Sequence, residues 1–227
     1  MCRLGLDFIE LLYPRLCVGC NHLLSPTEKE ICLVCLSHLE TCDFEKFPQN
    51  NPLYYRLAGK IPLLGACSCF VFTKKSLLQR IIHQAKYHNN PYIMQTLGMF
   101  FAQRLLQSNF LANVSEIVPI PLHPKKLKKR GYNQAEYIAK GIAQVTHLPI
   151  NTYFLYRTKN TETQTRKNKI ERWNNVKDAF ECKGTPPNLP LLIDDVITSG
   201  ATTQAAAFEM YKHGCKQIKI ASLAFVS

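Results

Sequence analysis

The stretch that most constrains this chain is Leu191-Leu192-Ile193-Asp194-Asp195-Val196-Ile197-Thr198-Ser199-Gly200-Ala201-Thr202. Its apolar opening is too short for a helix and suits a strand buried on both faces. Two adjacent carboxylates, Asp194 and Asp195, end that strand, and a loop of small hydroxyl residues around Gly200 follows. Residues 203–213 read as a helix, with Ala206, Ala207, Met210 and Tyr211 at helical spacing and Gly214 just past its end. The backbone N–H groups of 198–202 would then stand at a helix N-terminus, where the macrodipole favours an anion. Gly200 permits close approach, and Thr198, Ser199 and Thr202 add hydroxyl donors. Ionised, Asp194 and Asp195 only accept hydrogen bonds, which suits the vicinal hydroxyls of a ribose. The full pattern predicts a sugar-phosphate site. The blander alternative is a strand end with one aspartate capping the helix and the other in solvent.

A chain of 227 residues holds one full α/β domain plus a small appendage. With 46% hydrophobic and 19% charged residues it is globular, not disordered. Lys and Arg outnumber Asp and Glu by 28 to 16, a formal charge of +12. That excess suits polyanionic partners, although it also occurs in proteins that bind none. No apolar run is long enough to span a bilayer, and Asp7 and Glu10 interrupt the N-terminal one, which makes it a poor signal-peptide core. Ten cysteines without an export signal point to metal ligation, free thiols and the cytoplasm.

Near the N-terminus, Leu4, Phe8, Leu11 and Leu12 share a helical face that is expected to pack on its own domain. Cys17-Val18-Gly19-Cys20 and Cys32-Leu33-Val34-Cys35 follow, eleven residues apart. Two such knuckles present four thiolates, which match tetrahedral structural zinc. A redox pair and four unconnected buried thiols are the weaker readings. Cys67 and Cys69, on a strand over 66–72, are either core residues or a second site. Residues 43–65 look like a connecting segment.

Ser76 can cap a helix carrying Leu77, Leu78, Ile81, Ile82 and Ala85, and a second helix follows Asn90-Pro91. Lys86 and Tyr87 between them either contact a ligand or mark an exposed helix end. Residues 117–121 read as a strand whose prolines argue against a central place. The basic run 122–134 reads as a glycine-containing loop before a helix with Ala135, Ile138, Ala139 and Ile142 on one face. It is a second anion site by the same logic, or solvated surface. A strand over 153–157 leads to a polar stretch, 158–175, with Arg166, Lys167, Lys169 and Arg172. This stretch is a lid, a binding loop or disordered. Strands over 176–182 and 216–226 complete the reading.

The stretch at 191–202 resembles the PRPP-binding motif of type I phosphoribosyltransferases. Together with Pro119-Ile120-Pro121, Arg130-Gly131-Tyr132-Asn133-Gln134, the later Arg157, Gln164, Arg172, Asn175 and Ala179-Phe180, and the paired knuckles, the chain resembles the ComF (competence protein F, GntX-like) family. That resemblance implies a mainly parallel α/β sheet flanked by helices, with a zinc finger in front. The expected layout is a finger with its N-terminal segment at 1–42, a connector at 43–65 and a phosphoribosyltransferase-like domain at 66–227. It implies that Asp194 and Asp195 hold the ribose hydroxyls of PRPP. Val196, Ile197, Thr198, Ser199, Gly200, Ala201 and Thr202 complete that site around the 5′-phosphate, and Arg130, Gly131, Tyr132 and Asn133 form the pyrophosphate loop. Asp194, Asp195 and Arg130 would be the catalytic set of a Mg²⁺-dependent glycosyl transfer to an unknown acceptor, with 158–175 closing over PRPP. Cys17, Cys20, Cys32 and Cys35 would hold zinc. The family is associated with natural transformation, so single-stranded DNA and other DNA-uptake proteins are expected partners, with no membrane insertion. The alternative is a DNA-binding adaptor that holds PRPP or phosphate without turning it over.

Overall fold

The computed structural model describes residues 13–59, 61–87, 89–159 and 178–226. The helical face of Leu4, Phe8, Leu11 and Leu12, and residues 160–175 of the expected lid with Arg166, Lys167, Lys169 and Arg172, lie outside them.

The apolar run at 191–197 forms β5 (Pro190–Ile197), and the last strand is β6 (Ile218–Phe225). They are the central pair of a wholly parallel four-stranded sheet, flanked by β1 (Leu63–Val71) and β2 (Glu116–Pro119) in the order β1-β6-β5-β2. Every residue of β6 is buried, as expected of a strand covered on both faces. The strand β5 runs two residues past the acid pair, because Val196 and Ile197 still register with Ala224 and Phe225. β2, which ends at Pro119, lies at the sheet's edge, where the missing N–H costs least.

Alternation along the strands divides the core. Leu191, Ile193, Ala221 and Leu223 pack against α3 (Leu77–Tyr87), α4 (Tyr92–Leu106) and α6 (Gln134–Thr146). Leu192, Ile220 and Phe225 face the opposite layer. This layer contains α2 (Pro52–Leu57), α7 (Ala201–Lys212) and an antiparallel pair, β3 (Leu155–Arg157) with β4 (Phe180–Cys182). Each such buried Leu or Ile contributes about 1.5–3 kcal/mol.

α4 and α6 cross backbone to backbone. A Cβ on Gly98 would sit 2.4 Å from the Ile138 carbonyl oxygen, and one on Gly141 would sit 2.1 Å from that of Gln95. Neither helix could approach so closely with alanine there.

Two segments differ from their reading. The supposed connector carries α2, capped by Asn51, whose side-chain oxygen accepts from the Tyr54 amide. The basic run read as a loop is itself helical, α5 (Pro124–Arg130), capped by His123 and ended by Gly131 in the left-handed region at φ 82°. A short helix, α1 (Leu33–Ser37), starts inside the second cysteine knuckle.

Candidate functional site

Adjacent strand residues point to opposite faces, so Asp194 and Asp195 straddle the carboxyl end of β5. Asp194 faces α7, and its Oδ2 accepts from the Thr203 hydroxyl at 2.8 Å. Asp195 faces α3, and its Oδ2 pairs with Lys86 Nζ at 2.6 Å. The other oxygen of each carboxylate accepts the backbone N–H of the following residue, at 2.9 Å for Asp194 and 2.7 Å for Asp195. Lys86, at the end of α3, is thereby paired with the second acid.

Burial, then the neighbouring Asp195 charge, raises the Asp194 pKa to about 7. Burial would also raise Asp195, but the charge and hydrogen bond of Lys86 overcome it and hold this carboxyl below its usual range. The Arg130 guanidinium adds to that pull, and Arg157 at the end of β3 feels the charge of Asp194.

The raised Asp194 has a consequence for stability. Between the ordinary aspartate pKa near 3.8 and about 7, the folded protein binds more protons than the unfolded chain, so this group removes stability as pH rises through that window. Asp194→Asn should therefore melt higher than the wild type at pH 8, with the difference shrinking toward pH 4. A melting series that shows equal temperatures at pH 8 would contradict the raised pKa.

Past the acids, the chain turns at Gly200, which has φ 76°. A Cβ there would lie 2.7 Å from a Leu57 methyl group, so both conformation and space call for glycine. The first i→i−4 bond of α7 runs from the Gln204 amide to the Gly200 carbonyl at 2.8 Å. The amides of Ala201, Thr202 and Thr203 consequently have no partner within the helix and sit at the positive end of its dipole.

The stretch 130–133 is held from several sides. Arg130 Nη1 donates to Gln134 Oε1 at 2.7 Å, and the buried Tyr132 hydroxyl donates to the Ala85 carbonyl at 2.6 Å. Asn133 caps α6 through the Ala135 amide and donates to the Ile120 carbonyl at 3.0 Å. Tyr132 and Asn133 thus spend their polar groups tying this turn to α3 and the residue after β2, which leaves Arg130 as its charged member.

The sulfurs of Cys17, Cys20, Cys32 and Cys35 lie within 4.8 Å of one another, with Cys20 and Cys32 at 3.7 Å. A tetrahedron with Zn–S bonds of about 2.3 Å has edges of about 3.8 Å, so this donor set fits zinc. The amides of Gly19 and Cys32 donate to Cys17 Sγ at 3.4 and 3.3 Å, and the Cys35 amide donates to Cys32 Sγ at 3.4 Å. Burial works against the Cys17 thiolate, yet the amides of Cys32 and Gly19 bring its pKa down to about 7. Among the described residues this is the only group of three or more side chains placed to share a metal; Cys67 and Cys69 are buried free thiols.

A parallel sheet covered by helices, an acid pair and a glycine turn toward the end of a central strand, and a four-cysteine cluster whose donor set fits zinc define an α/β protein with a small cysteine-rich appendage. No protein-family model matches the chain. Among curated proteins, it is 29% identical to Competence protein F of Haemophilus influenzae over 154 residues, 65% of this chain and 67% of that one. It is 25% identical to DNA utilization protein YhgH of Salmonella typhimurium across 92% of this chain and 96% of that one. Against Competence protein ComFC of Bacillus subtilis it is 26% identical over 82% and 79%. The chain is a homologue of these competence and DNA-utilization proteins. Solved structures with looser likeness include the glutamine PRPP amidotransferase of B. subtilis, at TM-score 0.39 and 17% identity over 57% of this chain and 25% of that one. Another is the adenine phosphoribosyltransferase of Leishmania tarentolae, at TM-score 0.34 and 12% identity over 63% and 74%. No helix among the described residues is long and apolar enough to cross a membrane.

Proposed function

We propose that the chain is a PRPP-binding, phosphoribosyltransferase-like protein acting in DNA uptake. The observation that carries this reading is the Asp194–Asp195 pair near the end of β5, followed after a short turn by the N-terminal amides of α7. A ribose laid across the strand end can offer a hydroxyl to each carboxylate while its 5′-phosphate takes the amides and the hydroxyls of Thr198, Ser199 and Thr202. Lys86 and Arg130 stand on the Asp195 side, where pyrophosphate would leave and where positive charge stabilises the developing anion. A magnesium ion bound with PRPP would neutralise more of that charge. Lys86 would exchange its bond to Asp195 for the incoming phosphates.

The DNA arm of the reading rests on α5. Lys125, Lys128 and Lys129 are exposed on this one short helix, and the names of the relatives fit a nucleic-acid partner. A single strand tracking along α5 would release about 0.7 counterions per phosphate neutralised. Replacing the three lysines by Gln should flatten the log–log salt slope of single-stranded DNA binding by about 2 and leave PRPP affinity unchanged. Fluorescence anisotropy across a salt series measures the first and calorimetry the second. Identical slopes would remove α5 from the DNA interface.

A further inference from the structure

We infer that Arg56 is a positioning residue that holds the 198–203 turn in its anion-binding shape. The inference rests on the sugar-phosphate reading of that turn. Arg56 belongs to α2, in a stretch that looks like a mere connector in sequence. α2 is a fixed element: Asn51 at its start donates to the carbonyls of Phe47 at 2.8 Å and Ala66 at 2.9 Å, pinning it to β1. From its last turn, Arg56 Nη1 donates to the carbonyl oxygens of Thr198 at 2.5 Å and Val226 at 2.6 Å. The guanidinium carbon lies 4.3 Å from the centre of the Phe225 ring, which fixes its plane. Among the described residues no carboxylate pairs with Arg56, and burial lowers its pKa.

Two more contacts join the same elements. Leu57 packs beneath Gly200, and Gln204 Nε2 returns a hydrogen bond to the Arg56 carbonyl at 3.0 Å. The turn is therefore gripped at its first residue by Arg56, at its glycine by Leu57 and at the start of the α7 ladder by Gln204. Arg56 is the decisive member. Two carbonyl oxygens converge on one guanidinium nitrogen, Nη1, and without a cation between them they repel one another. Thr198 would then rotate away and the turn would lose its fixed approach to the start of α7. The unneutralised guanidinium behind the turn also adds a fixed positive potential where an anion is to be bound.

The test uses the full chain as wild type, Arg56→Gln and Arg56→Lys. Calorimetry measures binding of PRPP, ribose 5-phosphate and pyrophosphate, and hydrogen exchange without ligand follows the amides of 198–204. Arg56→Gln should lose about tenfold or more in affinity for PRPP and ribose 5-phosphate, keep its pyrophosphate affinity, and exchange faster at 201–204. Arg56→Lys, whose ammonium can still bridge both carbonyls, should recover most of both properties. Wild-type affinity for ribose 5-phosphate in Arg56→Gln, with or without faster exchange, overturns the inference and leaves the sugar-phosphate reading intact. Equal loss of all three ligands also overturns it, since that is a general structural failure. Wild-type protein that binds neither PRPP nor ribose 5-phosphate overturns the underlying reading, and the role given to Arg56 falls with it.

Discussion

Cys35→Ser protein should purify without zinc, where the wild type carries about one ion per chain. Three thiolates and an alcohol make a poor tetrahedral set, and structural zinc sites contribute on the order of 10 kcal/mol to the folding of the segment they close. The effect should spread beyond the knuckle. Cys17, Ile31, Cys32 and Cys35 belong to the same buried cluster as Leu78, Ile81 and Phe101 of α3 and α4. The melting temperature of the whole protein should therefore drop, while the sheet survives on the core between β5, β6 and their helices. Metal analysis with a thermal melt checks both, and chelating the wild type should reproduce the variant. Freshly purified wild type lacking zinc would rule the site out.

Changing Asp194 and Asp195 together to Asn should weaken PRPP binding by more than about a hundredfold. Each carboxylate would otherwise accept a charge-assisted hydrogen bond worth about 1.5 kcal/mol or more, and 1.4 kcal/mol is a factor of ten. The variant should still fold, because Asn keeps the acceptor oxygens that hold the Asp195 and Val196 amides and removes the Asp194 charge that burial disfavours. An unchanged dissociation constant in calorimetry at fixed pH would sink the assignment of these residues to the ribose.

Much of this architecture was legible because it follows from periodicity and turn chemistry. β5 and β6 announce themselves as short apolar runs, α3 by its stripe and its Ser76 cap, and β2 as an edge by its proline. α5 escaped because seven residues with one apolar side chain, Leu127, carry no stripe. Its signals were the caps instead: His123 before Pro124, and Gly131 after Arg130. The roles of Lys86 and Arg56 were out of reach for a different reason. Arg56 meets Thr198 across 142 residues of sequence, and local pattern says nothing about which distant backbone a lysine or arginine will find. Gly98 and Gly141 look like flaws in two helices until the backbone of the partner helix is seen against each.

The position of β6 bears on how the protein is made. Residues 218–225 fill the gap between β1 and β5, so the sheet has no middle until they emerge from the ribosome. Until then, β1 and the β2–β5 pair each present an apolar, hydrogen-bonding edge with its natural neighbour still missing. The nascent chain is thus exposed to wrong pairing until residues 218–225 are available. A ribosome-bound chain stalled after residue 215 should bind trigger-type chaperones that a chain extended well past 225 no longer engages.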